Sequence, residues 1–285
     1  MKNILLFLIT VFSVTTQAQV AIQVSNQESK ENIEFASILL PEHKKSFVAD
    51  EQGKFIIDTN KYKLPLKVLI EQFGFESKEI NLQNNTKVYN IYLNPSSELL
   101  REIIIPPKNA KIKERTFGRT NEGSGNIVGT FKDYSEENIH SGLEFGLVIN
   151  TNNKLKKVKK IHWHINDFSL QKAVYGLQFY EVGNGKPTNR IAHEDINFTV
   201  TDKSKGWVVI DVEDLNIYID GTKKIAAILK TQKVETKKGT KNGSITVNIG
   251  IPAVSNTIVG RDSQYEEWEK VPMNYPFYIT VDSYE

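Results

Sequence analysis

The 285 residues carry 36 Lys and Arg against 34 Asp and Glu, a formal net charge of +2, so no global field draws a polyanion and nucleic acid is not an expected partner. The absence of cysteine removes disulfides, thiolate metal sites and cysteine nucleophiles together. Burial of a 39% hydrophobic content must then hold the fold unaided.

The chain opens with Lys2, an apolar run from Ile4 to Val14, and Thr16-Gln17-Ala18 before Gln19. A basic start, a short apolar stretch and a small-residue site make up a secretory signal peptide, with cleavage expected after Ala18. The run is shorter than the roughly 20 residues that cross a bilayer core, and no later stretch approaches that length, so no transmembrane segment is expected. Loss of Lys2 lowers the charge to +1, 35 basic against 34 acidic residues. Without a cysteine after the apolar run, lipid anchoring by that route is excluded. The expected location is the periplasm or the cell surface. About 265 residues remain, more than one compact domain usually takes, so two are expected.

From residue 19 to 94 the apolar residues alternate or form short blocks: Ile33 to Phe35, Ile38 to Leu40, Phe55 to Ile57, Leu64 to Ile70, Val88 to Leu93. This is strand periodicity, with no helical stripe. Asp50-Glu51-Gln52-Gly53 separates two such blocks, and Gly53 is expected at positive φ in a hairpin loop, where a Cβ would clash. In Phe73-Gly74-Phe75 the glycine marks a strand end where a bulge or sharp bend is expected.

Phe35-Ala36-Ser37, then Asp50 to Phe55, then Gly74-Phe75 resemble the order "YAS", "TDxxGxF", "GY" of the carboxypeptidase-regulatory-like family. The resemblance implies a transthyretin-like β-sandwich, common in exported Bacteroidetes proteins, over roughly residues 20 to 94. It implies folding roles for the matched residues and no peptidase chemistry. A zinc carboxypeptidase needs His and Glu at close spacing, and no His-x-x-Glu occurs here.

Residues 95 to 125 are read as a linker. Glu98 to Ile105 is β-prone and ends at Pro106-Pro107, which cannot donate to a ladder. A short edge strand over Ile103 to Ile105 is one expectation. The stretch resembles the "LxEVVV" segment that follows the same domain in TonB-dependent receptors, but about 160 further residues are too few for their large barrel. Lys108 to Gly125, rich in charge and polar residues, is expected to be an extended or mobile connector, with docking on either domain left open.

Residues 126 to 285 alternate more strictly. Leu143, Phe145, Leu147 and Ile149 share a face, as do Ile161, Trp163 and Ile165; Tyr175, Leu177 and Phe179; Ile245, Val247, Ile249 and Ile251; and Phe277, Ile279 and Val281. Eight or so antiparallel strands at this spacing predict a jelly-roll-like sandwich, so the whole chain is expected to be all-β, two β-sandwich domains after a signal peptide. The pattern Gly142 to Gly146, Phe179-Tyr180, Pro187, Ile191 and Gly206 to Asp211 is similar to a C-terminal β-domain that follows the same module in flavobacterial proteins; the likeness implies architecture alone.

Four features could carry chemistry. His162 and His164 project from one side of a strand, opposite Ile161, Trp163 and Ile165, and could share a metal ion, with His140, His193 or Asp167 as third ligand. The bland reading is an outer face turned to solvent. Asp211, Glu213, Asp214 and Asp220 could hold calcium, though their spacing matches no Asp-x-Asp-x-Asp-Gly loop and suits turn residues better. Among Trp163, Trp207, Tyr275, Tyr278, Tyr265 and Trp268, the first two belong to apolar sets expected in the core, whereas Tyr265 and Trp268, flanked by glutamates, are the candidates for stacking a sugar. The lysine clusters 154 to 160 and 233 to 241 are read as solvated hairpin ends. No Gly-x-Ser-x-Gly or phosphate loop is present.

The expectation is an exported, non-catalytic binding or interaction protein of the cell envelope, without cofactor, whose partner is an envelope protein or a glycan. Alternatives are a carbohydrate-binding accessory protein and a metal-dependent hydrolase using His162 and His164.

Overall fold

The structure is a computed structural model that describes residues 19–96, 104, 106–122, 125–132, 142–191, 195–250, 253 and 256–285, with 126–132 described by backbone alone. The segment 1–18, Ile103 and Ile105 of the expected edge strand, Gly123, Ser124, His140 and His193 lie outside the described residues.

The N-terminal strands are β1 (Gln19–Asn26), β2 (Ser37–Leu40), β3 (Lys45–Val48), β4 (Lys54–Asp58), β5 (Leu66–Glu71), β6 (Lys78–Leu82) and β7 (Val88–Leu93). They form two sheets, β4-β1-β7 and β3-β2-β5-β6, with β1 antiparallel to β4 and parallel to β7. Ile22 and Val24 from the first sheet meet Ile38, Leu40, Val68 and Ile70 from the second in one buried core. Gly53 stands at φ +70°, and a Cβ there would approach the Val24 carbonyl oxygen to 2.6 Å, as the hairpin reading required. The Asp50 carboxylate accepts from the backbone N–H of Gln52 and Lys54 at 2.9 and 2.8 Å and closes the same turn.

The remaining strands are β8 (Ile112–Arg119), β9 (Gly125–Lys132), β10 (Glu144–Asn150), β11 (Lys156–Ile165), β12 (Asp167–Phe168), β13 (Lys172–Gly183), β14 (Lys186–Arg190) and β15 (Ile196–Thr201). These are followed by β16 (Gly206–Asp211), β17 (Tyr218–Ile219), β18 (Lys224–Glu235), β19 (Asn242–Ile249), β20 (Thr257–Arg261), β21 (Glu269–Val271) and β22 (Phe277–Tyr284). A seven-stranded sheet runs β14-β13-β18-β10-β20-β21, with β15 also on β13. A five-stranded sheet runs β16-β11-β22-β8, with β17 on β11, and a three-stranded sheet is β12-β19-β9. The predicted rows Leu147 and Ile149, Ile161 to Ile165, Tyr175 to Phe179 and Phe277 to Val281 all enter one core. The described residues are nearly all β, in sheets that are antiparallel apart from the β1–β7 pair and are stacked as sandwiches.

Three expectations are corrected. Within the supposed connector, residues 112–119 form β8, paired along its whole length with β22 and tied by Lys113 and Arg115 to Glu285 at 2.7 Å. Its side chains are mostly exposed and only Phe117 reaches the core, so an edge strand held by backbone bonds left no alternation to read. Lys156 is not a solvated hairpin residue. Strand alternation turns it inward beside Val158 until it is 0% exposed, its Nζ donating to the Thr222 carbonyl at 3.3 Å. Trp207 is not in the core either. It lies opposite His164 in the β11–β16 ladder, on the outer face, while the next residue, Val208, packs inward.

Candidate binding site

The seven-stranded sheet is covered on both sides, which its sequence registers as unbroken burial along β18 from Ile225 to Thr231. Ile225, Ala227 and Leu229 point into the main core; Ala226 and Ile228 join Val148, Tyr180, Val259 and Trp268 in a second cluster on the opposite face. The same outward parity continues as Lys230 on β18 and as Val174, Gly176, Gln178 and Tyr180 on β13. On a free face this row would carry solvated charges. Here it is small, amide-bearing or apolar apart from the buried Lys230, because the N-terminal sandwich sits over it.

Contact between the sandwiches is made by a small apolar cluster of Phe35, Val48 and Val174, ringed by polar bonds. Phe35 adopts φ +54°, a left-handed conformation costly for a bulky residue, so packing must hold its ring there. Glu51 is clasped by Lys172 at 3.2 Å and Lys233 at 2.8 Å, and these ammonium groups pull its carboxyl below the usual carboxylate range, the Lys233 hydrogen bond most strongly. The ladder slips between Val174 and Tyr175, leaving Gln232 without an opposite residue. This bulge turns both Gln232 and Lys233 toward the first sandwich.

Beside that contact lies an interdomain cavity of about 930 Å³. Its C-terminal wall includes Gly176, Gln178, Tyr180, Lys230 and Gln232; its N-terminal wall includes Ser37, Glu71, Gln72, Phe73, Phe75 and Glu76. The expected bend at Gly74 occurs at φ +90° and carries Phe73 and Phe75 into the wall. Gly176 packs closely against Gln232 on the floor, where a Cβ would meet Gln232 Nε2 at 2.7 Å. Arg190 joins the two walls. Its guanidinium lies 4.0 Å from the Phe73 ring centre and donates to Asp195 at 3.2 Å, while Asp195 also accepts from Gln72.

Lys230 is buried and its Nζ lies 2.7 Å from Ser37 Oγ. Burial pushes its ammonium below the ordinary lysine range, with the carboxylate of Glu144, its cross-strand partner, opposing that shift. Burial raises the Glu71 carboxyl, and Lys230 pulls it back. Gln232 Nε2 donates to Asn197 at 2.8 Å, and the buried Gln232 Oε1 has no partner among the described residues. Mixed charge, carboxamides and aromatic edges equip the cavity to hold a polar ligand.

The residues singled out in the sequence lie elsewhere or behind it. Tyr265 is 37% exposed and sits near Glu71, whose negative charge, after burial, raises its phenol. Trp268 is 8% exposed, packed against Tyr180 with the Arg261 guanidinium 4.2 Å above its ring, so it cannot stack a sugar; it is a prop beneath a cavity residue. His162 stacks on Tyr278 at 4.1 Å between ring centres, with Nε2 3.2 Å from Thr280 Oγ1. Burial lowers its imidazole below the ordinary range, helped by Lys160. His164 is 7% exposed, beside Trp207 and 3.4 Å from Glu122. Asp167, weighed as a third ligand, pairs with Lys205. Asp211 and Glu213 pair with Lys160 and Lys159. Among the described residues no group of three His, Asp or Glu is placed to hold a metal ion.

Residues 23–105 match the model of the CarboxypepD_reg-like domain. The N-terminal sandwich is a CarboxypepD_reg-like domain. The match runs past Asn94, as does the pairing, since Ser96 N–H donates to the Gly74 carbonyl at 2.8 Å. No curated protein matches the chain. Among solved structures the chain is similar to the cysteine protease and lectin-like domains of Cwp84, a surface layer associated protein of Clostridium difficile, at 10% identity and TM-score 0.36. That similarity covers 60% of this chain and 36% of the other, so this chain spans about a third of that length. A Bacteroides uniformis protein to which carbohydrate binding has been ascribed is similar at 11% identity and TM-score 0.23, over 93% of this chain and 99% of that one. Carbohydrate-binding modules from the β-sandwich super family are similar at 11% identity and TM-score 0.20, over 81% and 96%. At these identities and scores nothing about a ligand passes to this chain.

Proposed function

We propose that this chain is a non-catalytic binding protein of the bacterial cell envelope, exported through the signal at 1–18, which takes its ligand in the cavity between the CarboxypepD_reg-like domain and the C-terminal sandwich. The observation that carries this reading is the outward row of β13 and β18, where Gly176, Gln178, Lys230 and Gln232 line about 930 Å³ of space instead of facing solvent or filling a core. Both sandwiches supply walls, so the CarboxypepD_reg-like domain is part of the site rather than a spacer.

A second, narrower reading, a carbohydrate-binding accessory protein, is favoured by the lining. Carboxamides and carboxylates present paired acceptors and donors, and Phe75 and Tyr180 add apolar edges. Sugar rings offer both kinds of surface.

The test is binding by the mature protein to a glycan array and to envelope extracts, repeated with Gln178→Ala/Gln232→Ala. The double variant is expected to keep the wild-type melting temperature and to lose about tenfold or more in affinity, a difference of about 1.4 kcal/mol. Blank results in both formats, or undiminished binding by the variant, would overturn the site.

A further inference from the structure

We propose that Glu71 and Lys230 act as an acceptor and donor pair for adjacent hydroxyls of an uncharged saccharide, and that this pair makes the cavity select neutral over acidic sugars. The inference rests on the carbohydrate reading above and adds the ligand class and the residues that set it.

The pair is built into the fold. Ser37 and Glu71 lie directly opposite each other in the β2–β5 ladder, and the Lys230 ammonium arrives from the other sandwich to bond Ser37 Oγ at 2.7 Å. An ammonium bonded to Ser37 and a carboxyl on the residue opposite Ser37 thus belong to the same stretch of wall. The ammonium has three donors, and Ser37 accepts from it. The Glu71 carboxyl has no hydrogen-bond partner among the described residues, although burial has removed much of its water.

The cations around the cavity are already set against acids. Behind Lys230 its cross-strand partner Glu144 is fully buried and held by Arg261, and in the wall Arg190 is paired with Asp195. An acidic ligand would bring an extra negative charge against Glu71, Glu76 and Asp195; a basic one would face Lys230 and Arg190. Either would meet a like charge in a partly dehydrated space, which is costly. A hydroxyl both donates and accepts, so neighbouring hydroxyls can give to Glu71 and take from Lys230 with no added charge.

The experiment is calorimetric titration of the mature protein with neutral gluco-, manno- and galacto-hexaoses and with oligouronates of matched length. Wild type is expected to bind at least one neutral hexaose at least about tenfold more tightly than its uronate counterpart. Glu71→Gln should weaken that neutral binding about tenfold with the melting temperature unchanged; if Glu71→Gln does not fold, Lys230→Gln, which removes the donor of the same pair, gives the same readout. Uronates bound as tightly as neutral sugars, or neutral binding untouched by a folded variant, would overturn the pair while leaving the carbohydrate reading standing. If no sugar in the panel binds at all, the carbohydrate reading itself falls, and the pair with it.

Discussion

The two large sheets of the C-terminal sandwich share one core and differ in what lies on their outer faces. Outside the five-stranded sheet, His162, Tyr278, Trp207 and His164 pack ring against ring, each within 5.1 Å of the next, and account for one another. Outside the seven-stranded sheet stand Gly176, Gln178 and Gln232, with a second sandwich above and open space between. The residues most conspicuous in the sequence are occupied by packing, and the least conspicuous line the cavity. Chemical distinctiveness is therefore a poor guide in a two-sandwich protein unless the covered face is known.

That contrast can be strained experimentally. Trp163→Ala, at the centre of the shared core, should cost about 3–5 kcal/mol in denaturant unfolding, whereas Trp207→Ala on the outer face should cost about 1–2 kcal/mol. Equal losses would mean that the aromatic face is a second core rather than a surface cluster. Lys156 is a cation in that core whose pKa burial lowers from 10.5 to about 8, so the unfolded chain binds more protons than the folded one between those values. Stability should rise as pH goes from 8 to 10.5, and Lys156→Met should abolish the rise and stabilise the protein by about 1–3 kcal/mol at pH 7. A flat pH profile in wild type would refute the buried charge. The smallest effect belongs to the clasp beside the cavity: Glu51→Ala should cost less than about 1 kcal/mol, since its lysines remain about a third exposed. Its contribution is present above the ordinary carboxyl value of 4.5 and fades as pH falls through the lowered folded value, so wild type and variant should converge in acid.

Much of the architecture was readable from local pattern. The period-2 rows around Trp163, Tyr175 and Phe277 are in the core, Gly53 takes the positive φ that its hairpin demanded, and Gly74 stands at the expected bend. Strand β8 was missed because its ladder is made by the backbone, and Lys156 because a lysine in a charged run looks the same whichever way its strand turns. The signal for the cavity was present but faint. Along β13 and β18 the residues of outward parity are Val174, Gly176, Gln178 and Ala226, Ile228, Lys230, a row too poor in charge for a wet surface.

Alternation, turn glycines and the absence of cysteine are properties of neighbours along the chain, so they dictate sheets, their buried sides and the lack of cross-links without reference to anything distant. Which outward face would be roofed, and by what, depended on side chains nearly 200 positions apart, such as Ser37 and Lys230, meeting at 2.7 Å. Such long-range encounters leave no periodic trace, because each is a single contact between surfaces that only stacking of the sandwiches brings together.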